Sequence, residues 1–286
     1  MKKPVKSGDE KTQKNELKKK NQKKRKKTRK KKIKKIKKGF EKTKKAIGKM
    51  KKMKIERIVI ATANPHKARE IREILRLAGL GCKIVVLSSY PGMPKVEEDG
   101  ATYEENARKK AVATAKFLGM PALAEDSGVE VGALGEKPGP KTARFVAEIA
   151  KERGIDYESD YSAACSAANG EIIARLEGKK GGERAAKYVS AACLAFPDGK
   201  CVCARGECRG RVSESQRGKG GFGTDPIFCP KEFGYSRTFA ELGQKAKNGI
   251  SHRRRAIGKL CRKIREMKWR LPTQPQISYS GEGICK

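Results

Sequence analysis

Apolar residues are sparse over the first 54 positions and become periodic only from Ile55 onward. The run RIVIATAN, residues 57–64, is short, apolar and β-branched, which predicts a strand ending at Asn64. In HKAREIREILRLAG, residues 66–79, Ile71, Ile74, Leu75 and Ala78 fall on one helical face that Gly79 closes. KIVVL, residues 83–87, reads as a second strand. Residues 99–119 read as a helix in which Thr102 and Glu105 are spaced for a capping box. PALAED, 121–126, and GVEVGAL, 128–134, read as two strands meeting at Glu125 and Asp126. The β-α-β-α-β order predicts an α/β class.

Further along, helices are predicted at 145–152 and 169–177. The pattern of residues 187–210 predicts a hairpin turning at Pro197, Asp198 and Gly199. A Gly-rich stretch, 217–228, precedes a short helix at TFAEL, 238–242. A basic helix from Arg253 to Met267 is capped by Ser251. No internal repeat is evident, and residues from Leu271 show no period.

Charge divides the chain. Its 286 residues carry a formal net charge of +37. Residues 1–54 hold 28 of the 69 basic and 4 of the 32 acidic side chains, so +24 of that charge lies there and +13 in the rest. Such a segment cannot bury a core and is expected to be a disordered or helical Lys-rich extension. It reads either as a tail making non-specific nucleic-acid contacts or as a dispensable stretch ahead of a natural start at Met53. The expected organisation is an extension at 1–54, a globular domain at 55–270 and an irregular tail at 271–286. No run approaches the roughly 20 apolar residues of a membrane span and no export signal is visible, so a cytoplasmic protein is expected. Of nine cysteines, Cys201, Cys203 and Cys208 follow a C-x-C-x4-C spacing, with Cys201 and Cys203 predicted to share a face. Free buried thiols are preferred over a zinc site, because no histidine is near.

An unpaired carboxylate at the end of a buried strand is costly, so Glu125 and Asp126 predict either a cation beside them or a cleft. Thr62, Asn64 and Lys67 place a hydroxyl, an amide and an ammonium at a helix start, a possible phosphate cradle. The plainer alternative is that Asn64 turns the chain and Lys67 is solvated. The acids of EEDG, 97–100, suit either a metal or a helix dipole. In GGFGTDPIF the glycines permit close backbone approach, Phe222 offers a stacking face and Asp225 an acceptor. His252 and Arg253 open a helix that Ser251 caps.

Taken in order, T-x-N-x-x-K (62–67), E-x-G-x-T-x-x-E-N-A-x-x-K-A (98–111), A-x-D-S-G-x-x-V-x-A-L-x-x-x-P-G (124–139), G-F-G-x-D-P-x-F (221–228) and K-x-x-x-S-H-R (247–253) resemble the inosine triphosphate pyrophosphatase family. The resemblance runs from about Ile55 to Met267. It implies a mixed central sheet with flanking helices in two lobes around a cleft. The implied activity is Mg2+-dependent hydrolysis of deaminated purine nucleoside triphosphates (ITP, dITP, XTP) to the monophosphate and pyrophosphate, by a homodimer. Carried onto matching positions, Thr62, Asn64, Lys67 and Lys110 would hold phosphates, and Glu98 and Asp126 the metal. Asp126 would also be the base and Ser127 would touch the substrate. Phe222, Gly223, Thr224, Asp225, Lys247, His252 and Arg253 would form the nucleoside pocket. The alternative is a nucleic-acid-binding protein with a vestigial or secondary pyrophosphatase domain. Three departures stand out. Ala63 replaces a usual Gly and would strain the loop if positive φ were needed. Glu125 replaces a usual Asp, and Thr224 a usual aromatic that would stack on the base.

Overall fold

The computed structural model describes residues 55–267, so the Lys-rich extension and the tail from Leu271 lie outside the described residues. Seven strands form one mixed sheet, and it is built around one long element. β1 (Arg57–Ile60) pairs in parallel with β2 (Lys83–Val86) and with the start of β3 (Ala122–Val131). β5 (Ala185–Ala195) runs antiparallel along all of β3, β6 (Cys201–Val212) along β5, and β7 (Phe228–Pro230) along the end of β6. The two-residue β4 (Lys137–Pro138) pairs with the end of β3. Helices α1 (Pro65–Leu77), α2 (Tyr103–Leu118), α3 (Thr142–Glu152), α4 (Tyr161–Ala174), α5 (Gln244–Ile250) and α6 (His252–Glu266) flank it, as the α/β reading expects.

The expectation of two strands meeting at Glu125–Asp126 is corrected. β3 runs straight through them, because β5 opposes every position from Ala122–Ala195 to Val131–Ala186. With the backbone paired, period-2 alternation sends the two carboxylates to opposite faces of the sheet. Leu123 and Ala192 join Ile71, Ile74, Leu75 of α1 and Ile257, Leu260 of α6 in one core. Ala122, Ala124 and Ala191 join Tyr103, Ala107 and Ala111 of α2 in another, across the sheet. The far end of β3, Val129 and Val131, packs instead with Ile172, Tyr188, Phe228 and Phe239. The acid pair therefore sits at the waist between two lobes.

Local signals were mostly sound. Asn64 caps α1 by accepting from the His66 and Lys67 amides, and Thr102 and Glu105 form the capping box of α2. Ser251 caps α6 through the Arg254 amide at 3.2 Å. Two helices were misread. α4 begins at Tyr161, well before 169, because Asp160 caps it at the Ala163 amide. Residues 238–242 are turns rather than a helix, tied by Phe239 N–H to Phe228 O, and the helix follows at Gln244. The cysteine reading also changes. Cys201 and Cys203 do share a face, but Cys203 is disulfide-bonded to Cys193 across the hairpin, so it is not a free thiol. Cys208, an odd number of residues on, packs in the other lobe's core.

α6 lies directly on β6 at Gly206. A Cβ there would stand 2.2 Å from Ala256 N and 2.4 Å from His252 O, both backbone atoms that cannot swing aside. The glycine sets how closely the helix that opens with His252 and Arg253 approaches the sheet. Gly206→Ala is expected to lower stability by about 1–3 kcal/mol through overpacking, measured by urea unfolding. Gly258→Ala on the same helix, where the nearest atom is 3.7 Å away, is expected to be neutral or mildly stabilising.

Candidate active site

The face of β3 that carries Asp126 looks toward α2. Asp126 is buried, with Oδ2 accepting from Asn106 Nδ2 at 3.2 Å and Oδ1 lying 3.7 Å from Lys110 Nζ. Lys110 Nζ also donates to Glu98 Oε2 at 2.7 Å and to the Glu125 carbonyl at 3.0 Å. The EEDG loop is held in place by Gly100 N–H donating to Asn106 Oδ1 at 2.8 Å and by Arg144 donating to the Glu98 carbonyl at 2.8 Å. Glu98 remains 45% exposed at its side chain. Burial raises the Asp126 carboxyl to about 6; Lys110 and Lys67 oppose the rise while Glu98 and Glu125 add to it. Glu98 goes the other way, since Lys110 outweighs the effect of its partial burial. Two carboxylates of different basicity thus converge on one ammonium.

The opposite face carries Glu125, fully buried. Its Oε2 is 3.2 Å from Lys67 Nζ, its Oε1 is 3.2 Å from Arg253 Nη2 and accepts from Ser190 Oγ at 2.7 Å. Arg253 Nη1 pairs with Glu70 Oε2, and Nη2 donates to Ser127 Oγ at 3.1 Å. Glu70 Oε1 accepts from Lys247 Nζ at 2.7 Å, and Lys247 reaches Asp225 Oδ2 at 2.5 Å. The result is a charge-alternating row: Lys67, Glu125, Arg253, Glu70, Lys247, Asp225. It joins α1, β3, α5, α6 and the loop before β7. Burial alone would raise the Glu70 carboxyl, but Arg253 and Lys247 outweigh it and hold it at about 2. Burial also opposes ionisation of Glu125, and there Arg253 and Lys67 win.

The Gly-rich loop closes over this row. Asp225 accepts from the Phe222 amide at 2.8 Å, a turn that needs Gly221, whose Cβ would strike Asp225 Oδ2 at 2.1 Å. The Phe222 ring stacks on His66, centroids 5.2 Å apart, and faces Lys247 Nζ at 4.8 Å. Gly223 gives its carbonyl to Asn169 at 3.0 Å. Thr224 is buried and shares a hydrogen with Tyr188 Oη at 2.5 Å, so it supports the core and does not present a face to a base. Ala63 is not at positive φ, since Glu136 and Tyr235 are the non-glycine residues found there among the described residues. The expected loop strain is absent. Thr62 Oγ1 accepts from the Asn64 amide at 3.2 Å, so both side chains serve the turn into α1 that also carries Lys67. His252 stacks on Tyr188 at 4.4 Å, and burial together with Arg253 holds it well below the usual histidine range. It is therefore neutral, with a buried Nδ1 that has no partner among the described residues.

A family model for the Ham1 family matches residues 58–263. The chain belongs to the Ham1 family. Curated relatives named dITP/XTP pyrophosphatase include that of Geobacter sulfurreducens, 43% identical over 71% of this chain and 94% of the relative. Another, from Thermus thermophilus, is 42% identical over 70% and 88%. A HAM1 protein structure from Coxiella burnetii superposes with a TM-score of 0.61 at 32% identity, covering 73% of this chain and 98% of that one. The crystal structure of a nucleoside-triphosphatase, dITP/XTP pyrophosphatase, from Mycobacterium abscessus gives 0.54 at 35% identity, with 71% and 97% covered.

In this Ham1 chain the residues expected from sequence fall into two groups. Glu98, Lys110 and Asp126 converge on one face of β3, while Thr62 and Asn64 start α1 beside Lys67, which pairs with Glu125 on the other. Asp225, Lys247, His252 and Arg253 are buried and engaged with one another or with Tyr188. Glu70, Asn106, Tyr188 and Ser190 were missed. Glu70 had a signal: an acid next to Ile71 on the apolar stripe of α1, one turn after Lys67. A carboxylate whose folded pKa lies near 2 instead of 4.5 stabilises above pH 4.5, and that contribution disappears as pH falls toward 2. Acid unfolding of Glu70→Gln, followed by circular dichroism, is expected to show a shallower loss of stability over that window than the wild type.

Proposed function

We propose that the chain hydrolyses ITP, dITP and XTP to the nucleoside monophosphate and pyrophosphate, with Mg2+ as cofactor and Asp126 as the base. The observation that carries this reading is Asp126 itself. It is a buried carboxylate oriented by Asn106, with Lys110 beside it and Glu98 beyond. A base is most effective when its pKa lies near the working pH.

The donor set fits a hard divalent cation. Glu98 and Asp126 bring carboxylate oxygens from two segments to a single point, where the Lys110 ammonium already sits. Bound there, Mg2+ would offset phosphate charge and lower the pKa of water. Lys67 and Lys110 then neutralise the polyphosphate chain. Asp126 takes the proton of the attacking water, while Asn106 holds the carboxylate in its orientation.

Lys247 and Arg253 are neutralised by Glu70, Asp225 and Glu125, so their part is to position neighbours, with Arg253 fixing Ser127. A neutral His252 imidazole offers one donor and one acceptor. The half-buried Phe222 ring is the aromatic face left to meet a purine. A homodimer belongs to the same reading. Non-specific nucleic-acid contact by residues 1–54 is a separate expectation that falls outside the described residues.

Pyrophosphate release from ITP, dITP and XTP is expected at a kcat/KM about 100-fold above that for ATP, as one or two lost hydrogen bonds would give. Asp126→Asn is expected to lower kcat by roughly 10²–10⁴-fold without loss of fold. Release of orthophosphate in place of pyrophosphate, or near-normal turnover by Asp126→Asn, would overturn the reading.

A further inference from the structure

The hairpin of β5 and β6 brings three sulfurs together on the face that packs under α2. Cys193 lies directly opposite Cys203 with Cα atoms 4.1 Å apart, the closer of the two cross-strand spacings in an antiparallel pair. The Cys203 carbonyl points outward to Lys263 Nζ at 2.7 Å, as a non-hydrogen-bonded pair requires. Cys201, two positions earlier on the same face, has its Sγ 3.6 Å from Cys203 Sγ. All three ligand atoms lie within 4.8 Å of one another, and no other three His, Cys, Asp or Glu side chains among the described residues converge so closely. Cys193 is buried, while Cys201 and Cys203 are half-buried, so the group opens toward solvent on one side.

A Zn–S bond of about 2.3 Å places the sulfurs around one tetrahedral ion about 3.8 Å apart. The Cys201–Cys203 separation already matches this. Cys193 and Cys203, once their bond is reduced, must separate to a non-bonded distance of the same order. Thiolates select soft or borderline-soft cations, whereas Mg2+ prefers the oxygens of Glu98 and Asp126. The two sites therefore do not compete for one metal.

We propose that reduced Cys193, Cys201 and Cys203 bind one thiophilic d10 cation, of the zinc, cadmium or copper(I) class, and that the Cys193–Cys203 disulfide closes this site. A dithiol reductant supplies the two electrons that break the sulfur–sulfur bond, becoming a disulfide itself as its two protons pass to the freed sulfurs. The cation then displaces one proton from each of the three thiols. Oxidised protein lacks two of the three ligands and does not bind.

The test uses the full chain, reduced with a dithiol, desalted without oxygen and titrated with Cd2+. A thiolate-to-cadmium charge-transfer band in the ultraviolet is expected to saturate at one equivalent, with proton release followed by a pH indicator. The untreated, disulfide-bonded protein is expected to show no such saturable band. Cys201→Ser, at a half-exposed position, is expected to weaken binding by more than the roughly 10–100-fold that loss of a supporting contact costs a metal site. Cys208→Ser, in the other lobe, is expected to leave the titration unchanged. Absence of the band in reduced wild-type protein overturns the proposal. So does equal binding by Cys201→Ser, or loss of the band in a folded Cys208→Ser protein.

Discussion

A row of six alternating charges holds the two lobes in register. From Lys67 through Glu125, Arg253, Glu70 and Lys247 to Asp225, each ion has the opposite sign on either side. Five of the six side chains are essentially buried, and only Lys67, at 19%, reaches solvent. Removing one member strands a buried charge, at a cost of about 3–5 kcal/mol, whereas the intact row is nearly neutral. Its members come from segments nearly two hundred residues apart in sequence, so the row cannot form until α1, β3 and the α5–α6 corner have docked.

The proposed chemistry sits on the other side of the same strand. β3 sends Glu125 into the row and Asp126 toward α2, and one residue of backbone ties their positions together. Lys110 links the faces, accepted by Glu98 and by the carbonyl of Glu125. Lys67 and Lys110 are the cations left partly exposed at the waist, at 19% and 13%. Under the proposed function the fully buried charges build the floor, and the two lysines with residual exposure meet the polyanionic substrate.

Much of this was legible before the structure. Caps and turns are local, so Asn64, the Thr102–Glu105 box, Ser251 and the Pro197–Gly199 turn were readable from short motifs. Asp126 stood out as a carboxylate in an apolar run, whereas Glu98, Lys67 and Lys110 took their expected parts from the family resemblance. The row itself was not legible as a row, because pairing Glu70 with both Lys247 and Arg253 is a long-range outcome of docking. That same pairing sets Arg253 against Ser127 and Glu125. Thr224 could not be placed either, since its hydroxyl is used by Tyr188 from β5. β3 was split in two because adjacent carboxylates in an apolar run read as a strand end. In the fold a Cβ at Gly128 would lie 2.2 Å from the Gly139 carbonyl, so the glycine marks close approach within a continuous strand.

The central claim is that charge balance within this row, more than any single pair, holds the waist together. A double-mutant cycle of Glu70→Gln and Lys247→Met, measured by denaturant unfolding, tests it most directly. Each single change leaves an unbalanced ion and is expected to cost about 3–5 kcal/mol. The double variant removes one charge of each sign, and is expected to cost less than the sum of the singles by at least about 2 kcal/mol. Additivity of the two changes to within about 0.5 kcal/mol would contradict the account.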